Sequence, residues 1–211
     1  QNVMFSATMT ADVNELIHDF FQAPTTISVA VSGTPLDNIS HYCYSVPNFY
    51  TKANLLKYLL KDNEVYSKNL VFVSNKKSAD LLFEELEDCF TTEVAVIHSN
   101  KTQNYRIRSI ENFNEDNTRI LVTTDIMARG LDLDLISPVI NFDTPAFPEN
   151  YMHRIGRTGR AEQEGTSLMF STEAEQPNKE AIEELMGVEI PVHEMPSEIE
   201  ISKTLTYDEE P

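Results

Sequence analysis

The 211-residue chain is long enough for one ordinary domain and a little more, and with 41% of its residues hydrophobic it can bury a real core. A net charge of −18 disfavours general polyanion binding, yet the acidity sits in the flanks. Residues 101–160 balance eight Lys and Arg against eight Asp and Glu, whereas 1–100 carry six against twelve and 161–211 two against fourteen. The longest apolar runs, 69–73 and 93–97, are of strand length, and the N-terminus lacks a basic stretch followed by an apolar run, so the chain reads as cytoplasmic with no membrane span. Cys43 and Cys89 stand apart without a CxxC or His-rich frame, which leaves no basis for a disulfide scaffold or a metal site and predicts two buried thiols.

In chain order, Ile39 to Val46 alternates and predicts a strand, followed by a helix over Tyr50 to Leu60. Leu70 to Val73 is a short apolar strand. Lys77 to Phe90 carries Ala79, Leu82, Phe83 and Leu86 on one helical face. Val94 to Ile97 reads as a strand, Gln103 to Phe113 as a helix, Arg119 to Thr123 as the start of a third unit and Pro138 to Phe142 as a fourth strand. Pro148 suits the first turn of a helix running to about Arg157, Thr166 to Phe170 is a fifth strand, and Glu173 to Met186 a closing helix. From Gly187 the tail is acidic, with Pro191, Pro196 and few apolar anchors, and is expected to run extended. Such alternation implies a parallel sheet covered by helices on both faces.

Ligands of such sheets gather at the carboxyl ends of the strands, where Ser74, His98, Thr124 and Asp143 fall. The most telling segment is Tyr151-Met152-His153-Arg154-Ile155-Gly156-Arg157-Thr158-Gly159-Arg160. Guanidiniums on a backbone stripped of side chains at Gly156 and Gly159 can approach a polyphosphate closely. A solvated helix face explains this pattern poorly, because each glycine weakens a helix.

That segment resembles motif VI of superfamily 2 helicases. Taken in order, Ser6-Ala7-Thr8 is similar to motif III, Val71-Phe72-Val73-Ser74 to motif IV, Gln103-Asn104-Tyr105-Arg106 to the QxxR element, and Thr123 to Asp132 to motif V. Over residues 1–187 the chain thus resembles the C-terminal RecA-like domain of a DEAD-box RNA helicase. Asn141-Phe142-Asp143-Thr144-Pro145 leading into Pro148 is similar to bacterial RhlE-like members.

The resemblance implies a domain over 39–187, a trailing strand, helix and interdomain linker of a first RecA-like domain over 1–38, and an acidic tail over 188–211. It implies that Arg157 and Arg160 are arginine fingers toward the phosphates of ATP, with His153 joining motif VI to the partner domain. Gly130 and Asp132 would meet the nucleotide ribose. Ser74, Arg106 and Thr124 would touch the RNA sugar-phosphate backbone without reading bases, and Ser6, Thr8, Arg129 and Asp143 would serve interdomain coupling. The intact enzyme would unwind short RNA duplexes or remodel RNA–protein complexes; the alternatives are another superfamily 2 translocase acting on DNA and a non-catalytic docking module.

Two departures stand out. Ser99-Asn100 follows His98 where the family usually has glycine, and no GxxxxGK[ST] loop or Asp-Glu-Ala-Asp-like sequence is present. ATP and Mg2+ are therefore expected to be held mainly by the N-terminal RecA-like domain of the same protein, this chain alone being inactive and a weak RNA binder. The start at Gln1, just before motif III, implies a piece of a longer protein, in which the apolar strand and helix of residues 1–22, left without a sheet, are expected to pack on a neighbouring copy in self-association or on a substitute surface.

Overall fold

A computed structural model describes residues 2–6, 11–27, 38–128, 136–159 and 164–209. They fall into two units, 1–34 and 35–211. In the first, α1 (Ala11–Phe20) ends where the Phe21 N–H donates to the Ile17 carbonyl at 3.0 Å. The flanking stretches 2–6 and 21–27 are irregular, the former where a strand was expected, and they enclose a groove of about 590 Å3 lined by Val3, Met4, Val13, Ile17 and Phe21.

The second unit is a parallel sheet of seven described strands: β1 (Ile39–Ser45), β2 (Asn69–Val73), β3 (Val94–Ile97), β4 (Ile120–Thr124), β5 (Val139–Asn141), β6 (Gly165–Ser171) and β7 (Val192–His193), in the order β3-β4-β2-β5-β6-β1-β7. The helices are α2 (Phe49–Leu59), α3 (Lys76–Phe90), α4 (Gln103–Asn114), α5 (Asp125–Ala128), α6 (Pro148–Ile155) and α7 (Gln176–Met186). This is the RecA-like sheet that the resemblance implies.

Because both faces are covered, the central strands are continuous apolar runs; β2 is buried at all five positions. Alternate residues part to opposite sides. Val71, Val73, Val122, Ile140 and Phe170 pack with Leu55 and Leu56 of α2 and Leu82 and Leu86 of α3. Leu70, Phe72, Leu121 and Val139 pack with Phe113 of α4 and Ala128 of α5, and Cys43 and Met169 pack with Tyr151 and Ile155 of α6 and Ile182 of α7.

Helix starts follow side-chain caps: Asn48 accepts from the Thr51 N–H, Asn75 from those of Lys77 and Ser78, and Thr102 from that of Tyr105. The closing helix is broken, with a short 3-10 turn at Glu173–Glu175 before α7, since Pro177 sits in the first turn of the helix proper. The thiols divide: Cys43 is buried, where burial pushes it up to about 11, but Cys89 lies exposed on the outer side of α3 between the buried Leu86 and Phe90. The tail pairs with β1 through β7 and then runs back along α2. Among the described residues no helix is long and apolar enough to cross a membrane.

Candidate functional site

The expected site residues Thr8, Arg129, Gly130, Asp132 and Arg160 lie outside the described residues, and Ser6 belongs to the first unit. The others occupy two places.

The first is the carboxyl rim of β2, β3, β4 and β5. Val73 pairs with Thr124, so Ser74 emerges next to Thr124 at the end of neighbouring strands. Arg106 stands in the first turn of α4, the helix that returns from the end of β3, and its Nε is buried without a hydrogen-bond partner. Ser74 is exposed, whereas Arg106 and Thr124 are half-buried.

The rim loops are fixed by polar contacts. The Ser74 N–H donates to Asp143 Oδ2 at 2.8 Å. His98 is buried; its Nδ1 accepts from the Asn100 N–H at 3.3 Å, which leaves Nε2–H to donate to Asp80 at 2.9 Å. Burial would raise the Asp80 carboxyl, but hydrogen bonds from Lys101 and His98 outweigh it and hold the group below its ordinary range. Asn100 accepts from Lys76 Nζ at 3.3 Å, which ties the β3–α4 loop to the start of α3.

The second place is the cleft between α5 and α6. The sequence predicts a helix to about Arg157, but α6 stops at Ile155 and the last turn tightens, with Arg157 N–H donating to the Arg154 carbonyl at 3.1 Å and Thr158 N–H to that of Ile155 at 2.9 Å. Gly159 adopts a left-handed φ of 65°, and a Cβ there would stand 2.6 Å from Ile39 Cγ1; a Cβ on Gly165 would stand 2.5 Å from Thr158 Oγ1. The turn is therefore pressed against the first residues of β1 and β6. Arg157 lines a small cleft with His153, Asp125, Ala128 and Phe72, between α5 and α6.

Residues that went unremarked in the sequence hold these two places together. Arg154 is 1% exposed and grips Asp125 bidentately, Nε to Oδ1 at 2.6 Å and Nη2 to Oδ2 at 3.0 Å. Its Nη1 donates to Asn141 Oδ1 at 3.2 Å and to the Asp143 carbonyl at 2.8 Å, and its Cζ lies 5.0 Å from the centroid of the Phe72 ring. One side chain thus fastens α6 to α5, β5 and β2 at once. Removing it would leave the Asp125 carboxylate unpaired in a largely buried setting.

From Asn141 the chain of hydrogen bonds continues to Ser167 Oγ at 3.2 Å, Tyr151 Oη at 3.0 Å and His41 Nδ1 at 2.8 Å. His41 Nε2 is buried without a hydrogen-bond partner, so the arrangement that wastes no buried donor has Nδ1–H donating to Tyr151. Burial lowers the His41 pKa, and burial raises that of Tyr151, offset in part by the Ser167 bond.

Asp143, expected in interdomain coupling, has its carboxylate engaged inside its own domain, by Ser74 N–H and by Lys52 Nζ at 3.3 Å. Lys52 also donates to Glu175 at 2.7 Å, which in turn accepts from the Thr144 and Thr172 N–H groups. The sequence held one signal for Lys52. It stands three residues after Phe49 and four before Leu56, on the apolar face of α2, where a lone lysine must find a carboxylate.

The chain matches the family described as "Helicase conserved C-terminal domain" over residues 51–162. It is 35% identical to the ATP-dependent RNA helicase RhlB of Pseudomonas syringae pv. tomato, with 94% of this chain and 49% of that protein covered. It is also 36% identical to the ATP-dependent RNA helicase DbpA of Bacillus subtilis, with 95% of this chain and 41% of that one covered. The chain spans about half or less of the length of these relatives. Among solved structures it is similar to S. cerevisiae Dbp5 bound to RNA and ADP BeF3, at a TM-score of 0.79 and 28% identity over 91% of this chain and 51% of that one. It is likewise similar to E. coli DEAD-box protein SrmB bound to regulator of ribonuclease activity A, at a TM-score of 0.71 and 27% identity over 80% of this chain and 97% of that one. Motif order, sheet and relatives agree: the chain belongs to the helicase conserved C-terminal domain family, as a C-terminal RecA-like domain of the DEAD-box kind.

Proposed function

We propose that this chain is the second RecA-like half of an ATP-dependent RNA helicase, binding RNA at the carboxyl rim and facing the nucleotide from the α5–α6 cleft. The observation that carries the reading is the Asp125–Arg154 clamp, which sets the turn bearing Arg157, and with it His153, against α5 beside a cleft lined by both elements. A guanidinium and an imidazole on one cleft suit a polyphosphate, whose terminal group is the one that hydrolysis transfers to water. With no GxxxxGK[ST] loop in this sequence, ATP and Mg2+ would be held mainly by the other RecA-like half.

Arg157 would stabilise charge on the phosphates, His153 would meet the first domain, and Gly130 and Asp132 would take the ribose. At the rim, Ser74 and Thr124 bring small hydroxyls and Arg106 a guanidinium to the RNA backbone. Such contacts position a strand without reading its bases. Closure of the two halves over both ligands would bend the strand and open short duplexes.

Arg157→Ala in the intact protein is expected to lower ATP turnover by about 10³-fold or more while leaving the melting temperature unchanged. Phosphate release measured beside thermal melting checks it, and near-normal turnover would discard the finger assignment.

A further inference from the structure

We propose that the last turn of the tail, 206–209, is an acidic strap that competes with RNA for the rim at Ser74. This inference rests on the reading of that rim as the RNA surface. The tail from 188 onward carries seven carboxylates against one lysine. Its path is fixed up to Ser202: Ile199 is buried in the core beneath α2, Asn54 Nδ2 donates to the Glu200 carbonyl at 3.0 Å, Ser202 N–H to Thr51 Oγ1 at 3.0 Å, and Asn48 Nδ2 to the Ser202 carbonyl at 2.7 Å. These contacts deliver the chain to the N-terminus of α2, next to the rim.

There the turn closes on itself, with the Thr206 N–H and Oγ1 each donating to Glu209 Oε2 at 2.9 Å. It docks through Glu209 Oε1, which accepts from the Phe49 N–H at 2.7 Å. A carboxylate at the first amide of a helix stands where an anion is favoured. The docked turn walls a cavity of about 330 Å3 whose opposite side is Ser74, Asn75, Lys77 and Ser78. Asp208 and Glu209 thus share one cavity with Ser74 and with Lys77, one of the few cations near it. A phosphate entering this cavity toward Ser74 meets the two strap carboxylates in addition to Asp143 and Glu175, which line it with Lys52. Of the hydrogen bonds from the strap to the rest of the domain, the described one beyond Ser202 is that of Glu209, so the strap can swing away when a competing anion or a protein partner displaces it.

The test is a two-dimensional NMR titration of the 211-residue chain with a short single-stranded oligouridylate at low salt, comparing the parent with a chain ending at Ser202 and with the D208N/E209Q double variant. Both are expected to bind roughly fivefold more tightly, with the Ser74 amide among the shifted resonances, and the gain should shrink at high salt. Unchanged or weaker binding by the folded double variant overturns the strap. Should the truncated chain fail to fold, the double variant decides alone. Arg106→Ala run in parallel separates the two readings: if it leaves affinity unchanged, the rim is not the RNA surface and the strap falls with it. If it weakens binding while the strap variants change nothing, only the strap is wrong.

Discussion

His41 sits at the outer end of the hydrogen-bond chain that reaches Arg154, and burial holds its pKa below the ordinary 6.5. Between its native value and 6.5 the unfolded chain binds a proton that the native state refuses. Stability therefore falls as pH drops from 7 into that window and levels off once the native histidine is protonated too. His41→Gln should flatten this part of the profile, as read from melting temperatures at pH 7 and 5.5; equal slopes in variant and parent would exclude the role. Nothing in the sequence marked His41, because its partner Tyr151 lies 110 residues away and only the pairing of β1 with β6 brings them together. Lys52 and Arg154 were legible in principle, each a cation on an apolar helical face. Their partners Asp143, Glu175 and Asp125 come from other elements, which spacing along the chain does not reveal.

At the scale of elements, the motif VI turn depends on two glycines for different reasons. Gly159 needs its positive φ, while Gly165 in β6 leaves room for the turn, a Cβ there falling 2.7 Å from the Gly159 nitrogen. Backbone cannot move aside as a flexible side chain can, so Gly165→Ala should cost about 1–3 kcal/mol in chemical denaturation. Gly187, left-handed at φ 71° but facing open space, should show only backbone strain on the same change, about 1 kcal/mol. Equal losses at both sites would refute the packing explanation. Most strands and helices of the second unit were read to within a residue or two because buried parallel strands are continuous apolar runs and Pro148 marks a helix start. The end of α6 was misplaced because the pattern continues past Gly156, and what stops the helix is contact with β1 and β6. α5 was missed because four residues carry no period, whereas the tail was expected to run extended and pairs with β1 over two residues.

Across the whole molecule, the net charge of −18 surrounds an electrically balanced middle. Of the three rim residues assigned to RNA, Arg106 alone is cationic, so the salt slope of RNA binding should be shallow, near −1 in log–log form rather than several units. Anisotropy titrations across a range of potassium chloride read this directly, and a slope steeper than about −3 would demand a basic surface elsewhere.

Asp143 belongs to both places. Its carboxylate holds the Ser74 amide, and its carbonyl receives Arg154, which grips α5. The distance between the oxygens serving the two sites is thus spanned by the bonds of a single amino acid. Sliding α6 against β5 would tug the Ser74 loop without any lengthy relay of side chains, so on the reading proposed above a signal from cleft to rim crosses this one aspartate or the peptide bond joining Thr124 to Asp125.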